Sequence, residues 1–203
     1  MGTFMARNLH AAGWLSGVWN RTPSKAQALA AELAVPAFAD LTALAAASEA
    51  VVVCVSADAD VRAVVAGLKS GLRGNAIVLD CSTIGAGTAR VMHAELAASN
   101  VGFLDCPVSG GVEGARLGTL AVMVGGDESV FTRALPVLEK MGRTVTYMGS
   151  SGAGQAAKQR IKSCARASSR RSPKRWPSRR RRACRSTESS TPWARARDRA
   201  GIS

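Results

Sequence analysis

Ala50-Val51-Val52-Val53-Cys54-Val55 is an unbroken apolar run, residues 58–68 have helical character, and Ala76-Ile77-Val78-Leu79-Asp80 is a second apolar run. Short β-branched runs that are apolar throughout, rather than alternating, read as strands buried on both faces. A strand, a helix and a strand in this order imply a parallel pair with the helix packed across it. The same alternation extends outward in both directions. Further strands are expected at 17–20, 101–105, 120–124 and 144–148, and further Ala-rich helices at 3–12, 23–33, 40–48, 87–99 and 127–141. Pro23 in the first turn after Thr22 is a normal helix start. The expectation is a doubly wound α/β domain with a parallel sheet covered on both sides.

The 203 residues are enough for a sizeable core, and 47% of them are hydrophobic, which excludes wholesale disorder. No apolar run approaches the roughly 20 residues of a membrane span, and MGTFMARNLH lacks the apolar core of a signal peptide. The net charge of +13 is unevenly placed. Residues 158–203 hold 16 of the 27 basic and two of the 14 acidic side chains, leaving 11 basic and 12 acidic before them. The first 157 residues therefore net −1, which excludes a basic body built for nucleic acid. Five cysteines without a CxxC pair read as thiols of a reducing cytoplasm, with no metal site.

Two domains are expected: a nucleotide-binding unit over 1–157 and a basic, disordered tail over 158–203. From residue 159 onward there is no Leu, Val, Phe or Met, while Arg, Ser, Ala and Pro dominate, so this stretch cannot supply a core. We read it as an out-of-frame product of GC-rich DNA. The alternatives are a solvated tail and a polyanion-binding arm. At the other end, Gly2-Thr3-Phe4-Met5-Ala6-Arg7-Asn8-Leu9 reads as a helix start with no strand before it, so the first strand of the unit is expected to be missing.

Five segments, in order, give the chain a resemblance to a known family. They are the opening Met1-Gly2-Thr3-Phe4-Met5-Ala6-Arg7-Asn8-Leu9, then Asn20-Arg21-Thr22, then Asp80-Cys81-Ser82-Thr83-Ile84. Asp105-Cys106-Pro107-Val108-Ser109-Gly110-Gly111 and Gly152-Ala153-Gly154-Gln155-Ala156-Ala157-Lys158 complete the set. Together they resemble the β-hydroxyacid dehydrogenases, which include 3-hydroxyisobutyrate dehydrogenase and tartronate semialdehyde reductase. The resemblance implies a Rossmann-like fold and hydride transfer between a nicotinamide and a small 3-hydroxy acid or its semialdehyde. It puts Thr83 beside nicotinamide and substrate, Val55-Ser56 under the cofactor, the substrate acid group on Ser109-Gly110-Gly111, and the catalytic lysine at Lys158. It also implies a homo-oligomer built through an all-α domain after that lysine. Here the low-complexity tail stands in that domain's place, and Lys162 occupies the position of the family's substrate-orienting Asn. Little or no activity is therefore expected of these 203 residues. A non-catalytic nucleotide-binding fragment with a polyanion-binding tail is the alternative.

Each segment also has a physical reading of its own. Gly2 opens a helix whose free N–H groups suit a pyrophosphate, and its lack of a side chain allows close packing on the sheet. Asn20-Arg21-Thr22 stands where an NAD enzyme places a carboxylate for the adenosine ribose; a guanidinium there offers donors to a 2′-phosphate instead. NADP is thus expected ahead of NAD, the bland reading being a helix cap and a surface charge. Val55-Ser56 and Ser82-Thr83 end strands, where open α/β sheets bind ligands, although Ser-Thr pairs also serve as plain turns. Ser109-Gly110-Gly111 offers a hydroxyl and unobstructed amides to a carboxylate, or is an ordinary Gly turn. Lys158 could move a proton if burial lowered its pKa; otherwise it is a surface lysine.

Overall fold

The structure, a computed structural model, describes the backbone of residues 1–170 and the side chains of residues 1–164. The elements run α1 (Gly2–Ala11), α2 (Pro23–Leu33), α3 (Leu41–Ala46), β1 (Ala50–Val53), α4 (Asp58–Leu68), β2 (Ile77–Asp80) and α5 (Ala86–Ala97). They continue with β3 (Gly102–Asp105), β4 (Val108–Ser109), α6 (Gly111–Arg116), β5 (Leu120–Gly125), α7 (Glu128–Leu138), β6 (Gly142–Gly149) and α8 (Ala153–Arg170).

The six strands form one sheet in the order β1-β2-β3-β5-β4, with β6 also pairing β5. β1, β2 and β3 are parallel and in register, Val53 beside Asp80 and Asp80 beside Asp105. Adjacent side chains alternate faces, so Leu79 and Leu104 join α1, α6 and α7 in one core. Val78 and Phe103 join α4 and α5 in the other. In α4 the buried residues Val61, Val65 and Leu68 recur one turn apart, the stripe that a helix on a sheet must hide. Each such fully buried side chain contributes about 1.5–3 kcal/mol.

The sheet is mixed rather than parallel throughout. β3 and β4 both pair antiparallel with β5, Asp105 opposite Gly125, Val108 opposite Val122 and Ser109 opposite Ala121. These pairs keep a single register, so residues 102–109 run along β5 as one strand interrupted at Cys106-Pro107. Only ten residues, 110–119, separate β4 from β5. That is too short for a crossover, so the chain returns as a hairpin carrying α6 in its turn. Apolar runs disclose burial but not direction, which is why the sequence suggested otherwise. β5 and β6 are parallel, with α7 as the crossover.

The strand expected at 17–20 is a single parallel bridge between Val18 and Ala37. Val18 N–H donates to the Pro36 carbonyl at 3.0 Å, and Phe38 N–H donates to the Val18 carbonyl at 2.9 Å. The boundary expected between 157 and 158 falls inside α8, which runs on to Arg170. The rest of the tail, with its proposed polyanion or frameshift readings, lies outside the described residues. No helix among the described residues is long and apolar enough to cross a membrane.

Candidate functional site

A cavity of about 1110 Å³ opens between the free edge of β1 and the Val18 segment. Leu9, Val18, Val51, Val64 and Val137 give it an apolar wall, with Ser48 and Glu49 ahead of β1. Further polar groups gather where β1 ends. Gly2 and Thr3 bring the start of α1 there, Asn20, Arg21 and Thr22 the start of α2, and Val55 and Ser56 the turn after β1. Phe4 N–H and Met5 N–H already bond the Met1 carbonyl, so the donors left at this end are those of the first residues of α1.

Local chemistry fixes the Asn20-Arg21-Thr22 turn. The Asn20 side-chain oxygen accepts from Thr22 N–H at 2.9 Å, and Thr22 takes the N-cap position ahead of Pro23. The Arg21 guanidinium donates to the Asp60 carboxylate at 2.8 Å from the first turn of α4. Arg21 remains 82% exposed, so this pair orients the guanidinium at the cavity rim and contributes little to stability. Beneath Gly2 lies Cys54, whose thiol burial pushes its pKa up.

A second cluster forms where β2, β3 and α8 meet. Ser82 Oγ accepts from Val55 N–H at 2.9 Å and thereby ties the tip of β1 to the turn after β2. Asp80 accepts from Ser82 N–H at 3.0 Å through Oδ1, while its Oδ2 is buried without a partner. Burial, reinforced by the neighbouring Asp105 charge, pushes the Asp80 carboxyl up to about 6 despite the Ser82 bonds. Asp105 holds the entry to α8, accepting from Gly152 N–H at 2.7 Å and Gln155 N–H at 2.8 Å. Burial nonetheless raises its pKa, against the effect of those amides. Gln155 is fully buried; it accepts from Ile84 N–H at 3.2 Å and donates to the Ser82 carbonyl at 2.9 Å. Glycine is needed at 154 because a Cβ there would stand 2.4 Å from the Met123 carbonyl oxygen and 2.7 Å from that of Asp105.

Lys158 is half-buried one turn further along α8. Desolvation lowers its pKa, and the nearby Lys162 charge adds to the effect. Thr83 is exposed, its neighbours Ser82 and Ile84 being the two residues that Gln155 bonds. Ser109 closes β4; Gly110 has φ +132°, a conformation that side-chain-bearing residues rarely adopt, and Gly111 begins α6. Asn8 of α1 donates to the Ala115 carbonyl at 2.7 Å and holds α6 in place.

The expected cofactor residues Gly2, Asn20, Arg21, Thr22, Val55 and Ser56 thus share one cavity. Thr83 in the turn after β2, Ser109, Gly110 and Gly111 where β4 meets α6, and Lys158 in α8 do not line it. The Ser82–Val55 bond links the turn that carries Thr83 to the cavity. Sequence reasoning did not anticipate the roles of Gln155, Ser82 and the Asp105 carboxylate. Their motifs were visible, but side-chain bonds to distant backbone leave no periodicity to read.

The polar end of the cavity fits a dinucleotide. A helix start, a guanidinium and side-chain-poor strand tips are the groups that pyrophosphate and ribose require. A family model describing the NAD binding domain of 6-phosphogluconate dehydrogenase matches residues 1–149. The NAD-dependent L-serine dehydrogenase of Pseudomonas aeruginosa is 38% identical over 161 residues, which cover 78% of this chain and 54% of that protein. The solved structure of Mycobacterium tuberculosis 3-hydroxyisobutyrate dehydrogenase with L-serine matches with a TM-score of 0.78 at 37% identity, over 81% of this chain and 56% of that one. Psf3 in complex with NADP+ and 2-OPP matches with a TM-score of 0.72 at 31% identity, over 83% of this chain and 65% of that one. The chain spans about half the length of the curated relatives it matches.

Proposed function

The chain belongs to the β-hydroxyacid dehydrogenase family, and on that premise we propose that it serves hydride transfer between NADP and a small 3-hydroxy acid or its semialdehyde. The observation that carries this reading is the Ser82–Val55 bond between a cavity suited to a dinucleotide and the turn after β2. Gln155 anchors the start of α8 to that same turn, one helical turn before a partly desolvated Lys158.

Gly2, Asn20, Arg21, Thr22, Val55 and Ser56 would hold the dinucleotide, and Thr83 would lie beside its reactive end. When bound, the nicotinamide supplies or accepts the hydride. Lys158 handles the proton: as a free amine it takes the proton of the substrate hydroxyl in oxidation, and as an ammonium it returns one to the carbonyl oxygen in reduction. Desolvation shifts the balance towards the amine, the form that the oxidation direction requires. Ser109 Oγ and the amides of Gly110 and Gly111 would receive the substrate carboxylate.

Arg21 supports NADP over NAD. Its guanidinium is exposed and held at the rim by Asp60, where it can turn part of its donor fork to a 2′-phosphate. The thiols Cys54, Cys81 and Cys106 support a reducing, cytoplasmic setting. Fluorescence titration of the 203-residue protein with NADPH and NADH tests the cofactor half. Tighter binding of NADPH supports the reading, and equal affinities refute the NADP preference. Turnover of 3-hydroxyisobutyrate or L-serine with NADP tests the chemical half: little or none is expected of these 203 residues, and whatever remains should be lost in Lys158→Met.

A further inference from the structure

Gln155 sits at the first turn of α8, and nothing in hydride or proton transfer calls for a carboxamide there. Its side chain is nevertheless fully buried and bonded at both ends to one short segment. Oε1 accepts from Ile84 N–H at 3.2 Å, and Nε2 donates to the Ser82 carbonyl at 2.9 Å. Between those two bonds stands Thr83. The backbone N–H of Gln155 is in turn held by the Asp105 carboxylate at 2.8 Å, and Gly152 N–H by the other oxygen at 2.7 Å. One carboxylate therefore fixes the start of α8 to β3, and one carboxamide fixes the same turn to the segment after β2.

We propose that Gln155 is a positioning residue that holds the Thr83 turn and the Lys158 helix at a fixed separation. The inference rests on the reading of Lys158 as the proton-handling group. Lys158 lies three residues beyond Gln155, one helical turn away, so a rigid first turn passes its position directly to the amine. The residue type follows from the two groups it meets. A carboxamide presents an acceptor and a donor at once, matching one N–H and one carbonyl. A carboxylate would face the Ser82 carbonyl with a second acceptor. A methionine of similar length would leave both backbone groups buried and unpaired. The close approach at Gly154 keeps the turn seated against Met123 and Asp105, so the clamp has little room to shift. Loosening this seating should also expose Lys158, whose pKa desolvation lowers.

The test uses the 203-residue protein and its Gln155→Met variant, with the pH dependence of Lys158 acylation followed by peptide mass spectrometry. The expected result is that Lys158 titrates below the ordinary lysine range in the unchanged protein and moves up towards it in Gln155→Met. NADPH affinity should stay within about threefold, because Gln155 does not line the cofactor cavity. A purely structural role would lower stability without moving the Lys158 titration of the folded protein. If Lys158 already titrates normally in the unchanged protein, the proton-transfer reading fails and this inference fails with it. If it titrates low and stays there in folded Gln155→Met, only the positioning role is overturned. Should the variant not fold, amide hydrogen exchange of the unchanged protein decides. Ile84 and Gln155 protected to the same degree supports the clamp, and Ile84 exchanging as a free amide overturns it.

Discussion

Asp80→Asn should reverse its effect on stability as pH rises. The Asp80 carboxyl is buried at the tip of β2, with Oδ2 lacking any partner, and its pKa is pushed up to about 6 from the usual 3.8. A folded-state value above the unfolded one means that the native protein binds the proton more tightly. The associated stability is complete below the unfolded pKa and is lost as pH climbs through the native one. A gap of about two pKa units corresponds to about 3 kcal/mol, lost between roughly pH 4 and pH 6. Asparagine keeps the acceptor for Ser82 N–H but puts an amide where Oδ2 has no partner, costing about 1–3 kcal/mol at every pH. The variant is therefore expected to be less stable than the parent near pH 3.5 and equal to it or more stable near pH 7.5. Asp105, also shifted upward by burial, titrates in both proteins, so the difference between them chiefly reports Asp80. Urea unfolding of both proteins across this range is the assay. A constant offset between the two curves would show that the Asp80 pKa is the same in the folded and unfolded states and refute the argument.

Gly154→Ala forces a Cβ against two backbone carbonyl oxygens and should cost about 2–4 kcal/mol, read as a drop in the urea midpoint. Asp105→Ala leaves the buried Gly152 and Gln155 amides unpaired and should cost about 3 kcal/mol, with amide exchange rising first at the start of α8. Asn8→Ala removes the bond from α1 to the Ala115 carbonyl and should cost about 1 kcal/mol in the same unfolding assay. Arg21→Ala should weaken NADPH binding by roughly tenfold while leaving NADH within about twofold, since the lost contact is to the phosphate alone. Equal losses for both cofactors would assign Arg21 a role in holding the α2 turn.

The strands buried on both faces were legible in the sequence, and so was β6, which is largely exposed. Ile77–Asp80 and Leu120–Gly125 stand out because every or nearly every position is apolar or small. α2 and α4 were legible to the residue, because Pro23 and Asp58 mark where each begins. What escaped was direction and pairing. Val18 looks like strand but meets only one partner residue, and the antiparallel return after Ser109 depends on the length of the turn, which hydrophobicity does not encode. Among the glycines of the candidate motifs, Gly110 and Gly111 hold positive φ and Gly154 a close backbone approach, whereas a Cβ at Gly2 would meet only ordinary contact with Cys54. Gln155 was not legible, because a buried polar residue bonded across 73 positions looks in sequence like any helix-surface glutamine.

The interrupted strand of residues 102–109 leaves a turn that the fold anchors from one side only. Ser109 is spliced into the sheet on one side, and the turn beyond it is gripped from below by Asn8 and filled by Gly114 and Ala115. Val112, Glu113, Arg116 and Leu117 point outward from that turn and bear no part of its anchorage. Such a rim can be rewritten residue by residue while the platform beneath it stays put. Substitutions at those four positions should therefore carry little risk to folding.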